Sequence, residues 1–252
     1  MRFLLEKLKF RGIIIIITIG EIMDRFYIVI AGSDGSGKET QSKLLLENLM
    51  NAGIKAKRIA FPNYDSLSSG PVKMYLGGEM GKNAEKVSPF VASLPFIVDR
   101  SVTMQKFNNE DNETEVIIFD RYVESNLMYQ AVKIDNEKER EEFIKWELDL
   151  EFSKLKLPAP DVTIFLNMPL EVSAKLMEAR GKLKTGGEKD IHEANAQFLR
   201  KSYDFALDLA KRFDWSVINC AKNSEPRARE DIAKDVYSLV MEKIYGKTST
   251  IE

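Results

Sequence analysis

Cysteine and histidine are almost missing from this chain of 252 residues, where Cys220 and His192 each stand alone. A single cysteine excludes an intrachain disulfide and any cysteine-rich zinc site, and a single histidine excludes multi-histidine metal centres. A Ser–His–Asp hydrolase would depend on His192 by itself. An excess of one charge is missing too, with 37 Lys and Arg against 39 Asp and Glu for a formal net charge of −2. That balance argues against a sequence-independent nucleic-acid binder, which carries a basic surplus. Long apolar runs are also missing, since Ile13–Ile19 falls far below the roughly 18 residues of a membrane span. Catalysis in such a chain runs on carboxylates, Arg, Lys and backbone amides, and both remaining singletons, His192 and Cys220, read as structural.

What is present suits a globular protein: 44% hydrophobic and 30% charged residues, in a length that fits one α/β domain or at most two small ones. Residues 1–22 place basic positions ahead of the isoleucine run, the outline of a secretory signal, but no small-x-small cleavage site follows. The segment reads instead as an N-terminal extension ahead of a start at Met23. Gly20-Glu21 can be encoded by a purine-rich ribosome-binding sequence, and isoleucine runs arise readily from AT-rich DNA. With no other targeting signal visible, the expected compartment is the cytoplasm, and the expected domain spans 23–247.

From Phe26 onward the chain alternates strands and helices. Strands are expected at Phe26–Ala31, Lys55–Phe61, Val116–Phe119, Val162–Asn167 and Trp215–Asn219. Helices are expected at Lys38–Met50, Ser68–Gly77, Ser88–Lys106, Tyr122–Val132, Asn136–Leu155, Leu170–Ala179, Ile191–Phe213 and Arg229–Ile244. Apolar strands alternating with helices point to a parallel sheet covered on both faces. In such folds ligands sit outside the carboxyl ends of the strands. The unusual residue clusters of this chain follow Ala31, Phe61, Phe119 and Asn219, all at such ends.

Gly32-Ser33-Asp34-Gly35-Ser36-Gly37-Lys38 lies between a strand and a helix. Glycines there let backbone N–H groups line a phosphate nest at a helix N-terminus, with Lys38 against the β- and γ-phosphates of a nucleotide. Glu39 and Thr40 continue the loop. The residue after the lysine is normally a Ser or Thr that ligates Mg²⁺. Two readings of Glu39 stand open: it binds Mg²⁺ directly or through water, or the ligand is lost and the metal is held elsewhere. Asp120, ending an apolar strand, is placed to hold Mg²⁺ through water, and Arg121 beside it to clamp a phosphate. An acceptor site is expected from Phe61, the helical pair Phe96 and Arg100, and Ser125, Tyr129 and Gln130. A ring and a guanidinium four residues apart can grip a planar base together. Arg180, Lys182, Lys184 and Lys189, near Gly181, Gly186 and Gly187, read as a basic, glycine-hinged lid that closes over transferring phosphates.

With GSDGSGKETQ, FPNY, LPFIVDR, DRYVESNLMYQ, PDVTIFLNMP, EARGK and FLRKSY in this order, the stretch from about Asp24 to Ile244 resembles the thymidylate kinases, nucleoside-monophosphate kinases of the P-loop class, in the style of their bacterial members. The resemblance implies a three-layer P-loop NTPase fold, a five-stranded parallel sheet flanked by helices with a short lid at about 180–192. It implies transfer of the γ-phosphoryl of ATP to dTMP with Mg²⁺, in the synthesis of dTTP, by a homodimer. Asp34 would hold the sugar 3′-hydroxyl, Arg121 the acceptor phosphate, Phe96 the face of thymine and Arg100 its edge. Tyr129 would lie under the deoxyribose and disfavour a 2′-hydroxyl. Lacking a basic residue at Gly35–Ser36, the chain would draw catalytic charge from the lid, with Arg180 as its first arginine. The family often carries an arginine where Tyr64 stands and an aspartate where Asn167 stands. Two alternatives are a kinase for another nucleoside monophosphate or for a nucleoside, and a nucleotide-binding protein with impaired catalysis. A nucleoside kinase needs a carboxylate base near the 5′-hydroxyl, and the second strand ends in Phe-Pro without one.

Overall fold

The computed structural model describes the backbone of residues 6–10, 13–17, 25–111, 113–181, 191–192 and 195–248, and side chains within 25–111, 113–179, 191–192 and 195–246. Two strands near the N-terminus, β1 (Glu6–Phe10) and β2 (Ile13–Ile17), pair antiparallel with each other as a separate hairpin.

The main sheet is built from β3 (Phe26–Ala31), β4 (Ala56–Ala60), β5 (Val116–Asp120), β6 (Val162–Asn167) and β7 (Ser216–Asn219), in the spatial order β4-β5-β3-β6-β7. Every pairing in it is parallel. Successive side chains of a strand point to opposite faces, and both faces here are apolar. On one side Val29, Ile117, Phe119 and Phe165 join the larger core. On the other Ile28, Ile30, Ile118, Ile164 and Leu166 join the second. That is why these strands read as continuous apolar runs rather than as alternations.

Helices α1 (Lys38–Asn51) and α8 (Arg229–Thr248) cover the second face through Leu45, Leu49, Val236 and Val240. The larger core packs under α2 (Gly70–Leu76), α3 (Pro89–Glu110), α4 (Val123–Gln130), α5 (Glu137–Leu148) and α7 (Ala196–Arg212). Helix α6 (Leu170–Gly181) follows β6, and a small hairpin, β8 (Ala221–Lys222) with β9 (Glu225–Pro226), precedes α8. No helix among the described residues is long and apolar enough to cross a membrane.

Several expected boundaries shift. The helix expected from Ser68 is a 3-10 turn, Leu67–Ser69, followed by α2. The one expected over Asn136–Leu155 is α5 followed by a π-helical segment, Asp149–Lys154. The one expected from Ile191 begins at Ala196, where the Asn195 side chain accepts the N–H of Phe198 and caps the first turn. Helix α3 runs on to Glu110, with Pro95 inside it.

Register fixes where chemistry collects. Ile30 and Ala60 both lie level with Asp120 across the ladder. The three carboxyl ends therefore form one rim, at the point where the chain turns from β3 to opposite sides of the sheet.

Candidate functional site

The phosphate loop connects β3 to α1. Gly37, immediately before α1, has φ 93 with open space beside it, a backbone that glycine adopts without strain. A Cβ on Gly35 would meet Met177 Cγ at 2.8 Å and the Ser173 carbonyl at 3.0 Å, so this turn packs directly onto α6. Lys38 Nζ donates to the Ser33 carbonyl at 2.7 Å and is buried beneath the loop. Burial, with Arg121 nearby, pulls the Lys38 ammonium down to about 7. The hydroxyls of Ser33 and Ser36 are buried without a hydrogen-bond partner among the described residues. Unsatisfied buried polar groups of this kind suit a loop built for a ligand.

Asp34 projects from this loop toward α4. Its Oδ1 pairs with Arg121 Nη2, and its Oδ2 accepts the Tyr129 hydroxyl at 3.2 Å. Burial alone would raise the Asp34 carboxyl, but Arg121 and Lys38 outweigh it and hold the group at about 2. Arg121 follows β5 with φ 65, uncommon for a residue with a side chain. Its N–H extends the ladder to the Ile30 carbonyl at 3.3 Å. The sequence-predicted trio Asp34, Arg121 and Tyr129 is thus one hydrogen-bonded unit beside the phosphate loop.

Asp120 is buried at the end of β5. Its Oδ2 accepts the Ser42 hydroxyl at 3.3 Å and an Arg58 guanidinium N–H, while Arg58 Nε donates to Ser42 Oγ at 2.7 Å. The structure does not bring Glu39 to this group. Glu39 is exposed on α1 and pairs with Lys43 one turn on, at 2.7 Å. Thr40 is half-buried beside it.

From Asp34 a pocket of about 550 Å³, open to solvent, runs beneath α3 and α4. It is lined by Phe61, Pro62, Tyr64, Leu76, Phe96, Arg100, Arg121, Tyr122, Ser125, Asn126, Tyr129, Gln130 and His192. All the acceptor-site residues expected from the sequence are therefore gathered in one cavity. The Phe61–Pro62 peptide is cis. Phe96 meets Tyr75 edge-on, with ring centroids 5.9 Å apart. Arg100 is only 2% exposed, and its Nε and Nη2 form a bidentate pair with Glu151 at 2.7 and 2.5 Å. Gln130 Oε1 is buried without a partner among the described residues.

Asn126 and His192 are among the lining residues that were not expected. Asn126 sits one turn before Gln130 on α4; the i, i+4 pairs 125/129 and 126/130 carry the signal that would have found it. His192, read as structural, is buried at the pocket wall: its ring stacks on Tyr129 at 5.1 Å, with its Nε2 2.9 Å from the Tyr75 hydroxyl. Burial pushes the His192 imidazole down to about 4, so it is neutral near pH 7. Cys220 is buried, with its thiol pushed up to about 12 by burial, as a structural residue would be. Lys182, Lys184 and Lys189 lie outside the described residues, as does the side chain of Arg180.

A glycine-rich loop at a helix N-terminus, facing across one carboxylate a pocket lined by aromatic, amide and guanidinium side chains, suits a nucleotide phosphotransferase. Comparison with known proteins agrees. A solved thymidylate kinase from Candida albicans superposes with a TM-score of 0.64 at 23% identity, covering 86% of this chain and 91% of that one, which shows a common fold. The thymidylate kinase of Mycobacterium tuberculosis is 29% identical over 184 residues, 73% of this chain and 85% of that protein. A probable thymidylate kinase of Methanocaldococcus jannaschii is 32% identical over 212 residues, 84% of this chain and 95% of that protein. The family model for thymidylate kinase matches residues 30–232, and on this evidence of sequence and fold the chain belongs to the thymidylate kinase family.

Proposed function

We propose a division of labour for the phosphoryl transfer from ATP to dTMP that this family carries out. Such a transfer has a loose transition state, so the protein aligns donor and acceptor and compensates charge. The acceptor phosphate is already ionised at neutral pH, and no strong general base is needed. Gly32, Ser33, Gly35, Ser36 and Gly37 cradle the phosphates of ATP, and Lys38 supplies a cation under them. Arg121 exchanges part of its contact with Asp34 for the acceptor phosphate. Asp34, tied to Tyr129, then holds the sugar hydroxyl, while Tyr129 and His192 pack under the sugar. Phe96 covers the face of the base, and Arg100, Asn126 and Gln130 meet its edge, with Phe61 and Ser125 completing the walls. Arg180, Lys182, Lys184 and Lys189, in a lid at about 180–192 of a domain spanning 23–247, add positive charge and exclude water.

The residues also fit Mg²⁺. Asp120 is a hard oxygen donor beside the phosphate loop, and its Oδ1 makes no hydrogen bond among the described residues. Mg²⁺ commonly takes one or two carboxylates and draws its other ligands from water and substrate phosphates. When bound, the ion would neutralise charge on the β- and γ-phosphates. Glu39, the second candidate ligand at the loop, is exposed on α1 and pairs with Lys43.

The chain works as a cytoplasmic homodimer in this reading. Val91, Leu94, Val98 and Val102 fall on one face of α3 and are 36–49% exposed, an apolar stripe on the helix whose other face carries Phe96 and Arg100 to the pocket. Such a stripe suits a second copy of the chain.

The observation that carries the catalytic reading is Asp34, bonded to both Arg121 and Tyr129 at the junction of phosphate loop and pocket. A coupled ADP-release assay with ATP, Mg²⁺ and a panel of nucleoside monophosphates tests it, with thymidine as a control. Turnover with dTMP well above dUMP, dCMP and thymidine is expected. Silence with every acceptor, despite ATP binding, would mean that the site holds nucleotide without transferring phosphate.

A further inference from the structure

Behind the base end of the pocket lies a buried charged cluster that the transfer itself does not use. Arg100 from α3 meets Glu151 bidentately and has Glu147 Oε1 at 3.6 Å; both carboxylates are fully buried, and neither lines the pocket. Glu147 belongs to α5, and Glu151 to the π-helical segment that follows, a wider turn found disproportionately at functional sites. Asn126 Nδ2 donates to Glu147 Oε1 at 2.5 Å and lies 3.4 Å from the Ser93 carbonyl. A carbonyl only accepts, so this pairing fixes which end of the Asn126 amide is turned inward.

The atoms left for the pocket follow by subtraction. Glu151 occupies Nε and Nη2 of Arg100, which leaves Nη1, a donor. Glu147 and Ser93 occupy Nδ2 of Asn126, which leaves Oδ1, an acceptor. We propose that Glu147 and Glu151 are positioning residues that set this donor–acceptor order, so that the pocket selects a base with a carbonyl at C4 and an N–H at N3. Thymine and uracil offer that edge. Cytosine offers the reverse, an amine at C4 and an unprotonated N3. The inference rests on the reading that this pocket takes the acceptor's pyrimidine.

The geometry also specifies the protonation that the device needs. Glu147 Oε2 is buried without a hydrogen-bond partner among the described residues, and the Glu147 and Glu151 carboxyls interact directly with each other. A proton on Glu147, donated to Glu151, satisfies both oxygens and leaves Arg100 balanced by a single negative charge. Burial and the charge of Glu151 both raise the Glu147 carboxyl. The other titratable groups interacting with the cluster are Tyr122 and Glu124, at the start of α4.

The test compares kcat/KM for dTMP and dCMP in the wild type, Glu147→Leu, Glu147→Gln and Asn126→Ala, with KM for ATP as an internal control. Leucine removes the acceptor that holds Asn126. The dTMP-to-dCMP ratio should fall by about tenfold or more, mainly through KM for dTMP, with KM for ATP unchanged. Glutamine offers a carbonyl to Asn126 and an N–H to Glu151, and should restore the ratio lost in the leucine variant. In the wild type, KM for dTMP should climb at alkaline pH as Glu147 loses its proton, and the profile of the glutamine variant should lack that climb. A ratio kept in Glu147→Leu but lost in Asn126→Ala overturns the proposal and leaves the pocket reading intact. A ratio kept in both sinks the proposal together with the reading that Asn126 meets the base. If the leucine variant does not fold, an alkaline climb shared by wild type and Glu147→Gln overturns it.

Discussion

At the scale of single residues, the site stores its charge in unusual protonation states. Lys38 is held near 7 because burial and Arg121 both disfavour its ammonium. Bound polyphosphate reverses that balance, so ATP binding at about pH 8 should take up a fraction of a proton approaching one. Calorimetry in buffers of different ionisation enthalpy reads this directly. Lys38→Ala should abolish the uptake and lower kcat by about 10² to 10³; uptake that persists in the variant would assign the proton elsewhere. Glu124 acts in the opposite sense. Burial lifts its carboxyl from 4.5 to about 7, so between those values the folded chain holds a proton that the unfolded chain has lost. Stability therefore falls as pH rises through that window, by up to about 3 kcal/mol. Glu124→Gln should flatten the slope, and urea denaturation at about pH 5 and pH 8 measures the difference. Which residues were legible from sequence follows from the same physics. Arg121 was legible from its place after an apolar strand, whereas the roles of Asp34 and Tyr129 came with the resemblance to the family. Glu39 was read through the motif as well, and its place in the first turn of α1 puts Lys43 one turn on. His192 gave no signal because its partners Tyr75 and Tyr129 are remote in sequence.

At the scale of elements, the strands were the most legible part. A run such as Val116–Phe119, continuously apolar and short, reads as a buried strand, and β5 departs from expectation only by including Asp120. Helix ends were less legible where local side chains set them. Asn195 halts the helix that periodicity extended back to Ile191. The π-helical turn at Asp149–Lys154 leaves no trace in apolar spacing, because it places Glu151 toward Arg100 for electrostatic reasons. A local cap also sets the start of α5. Asn136 precedes Glu137–Glu139 at the start of α5, and its side chain accepts the Glu139 N–H at 3.1 Å. Asn136→Ala should cost about 1 kcal/mol. Urea unfolding would show it as a lower midpoint with an unchanged m-value; a changed m-value would instead mean that the unfolded ensemble, not the cap, had altered.

At the scale of the whole molecule, one helix joins the catalytic pocket to an apolar stripe. The inner face of α3 carries Phe96 and Arg100, while Val91, Leu94, Val98 and Val102 line its outer face at 36–49% exposure. Spacings of three, four and four residues keep that stripe on one side of the helix along its length. Two copies related by a two-fold axis would bury the stripe against itself, the simplest closed arrangement for a self-complementary face. Leu94→Asp should then yield a monomer, because each two-fold contact would bring two carboxylates together in an apolar seam. Light scattering after size exclusion reads the mass. The inner face does not include Leu94, so the monomer should stay folded and bind ATP. KM for dTMP should rise by about fivefold or more, since α3 loses the packing that braces Phe96 and Arg100. A monomeric variant with unchanged KM for dTMP would separate assembly from acceptor binding. A variant that remains dimeric would place the interface on another face of the molecule.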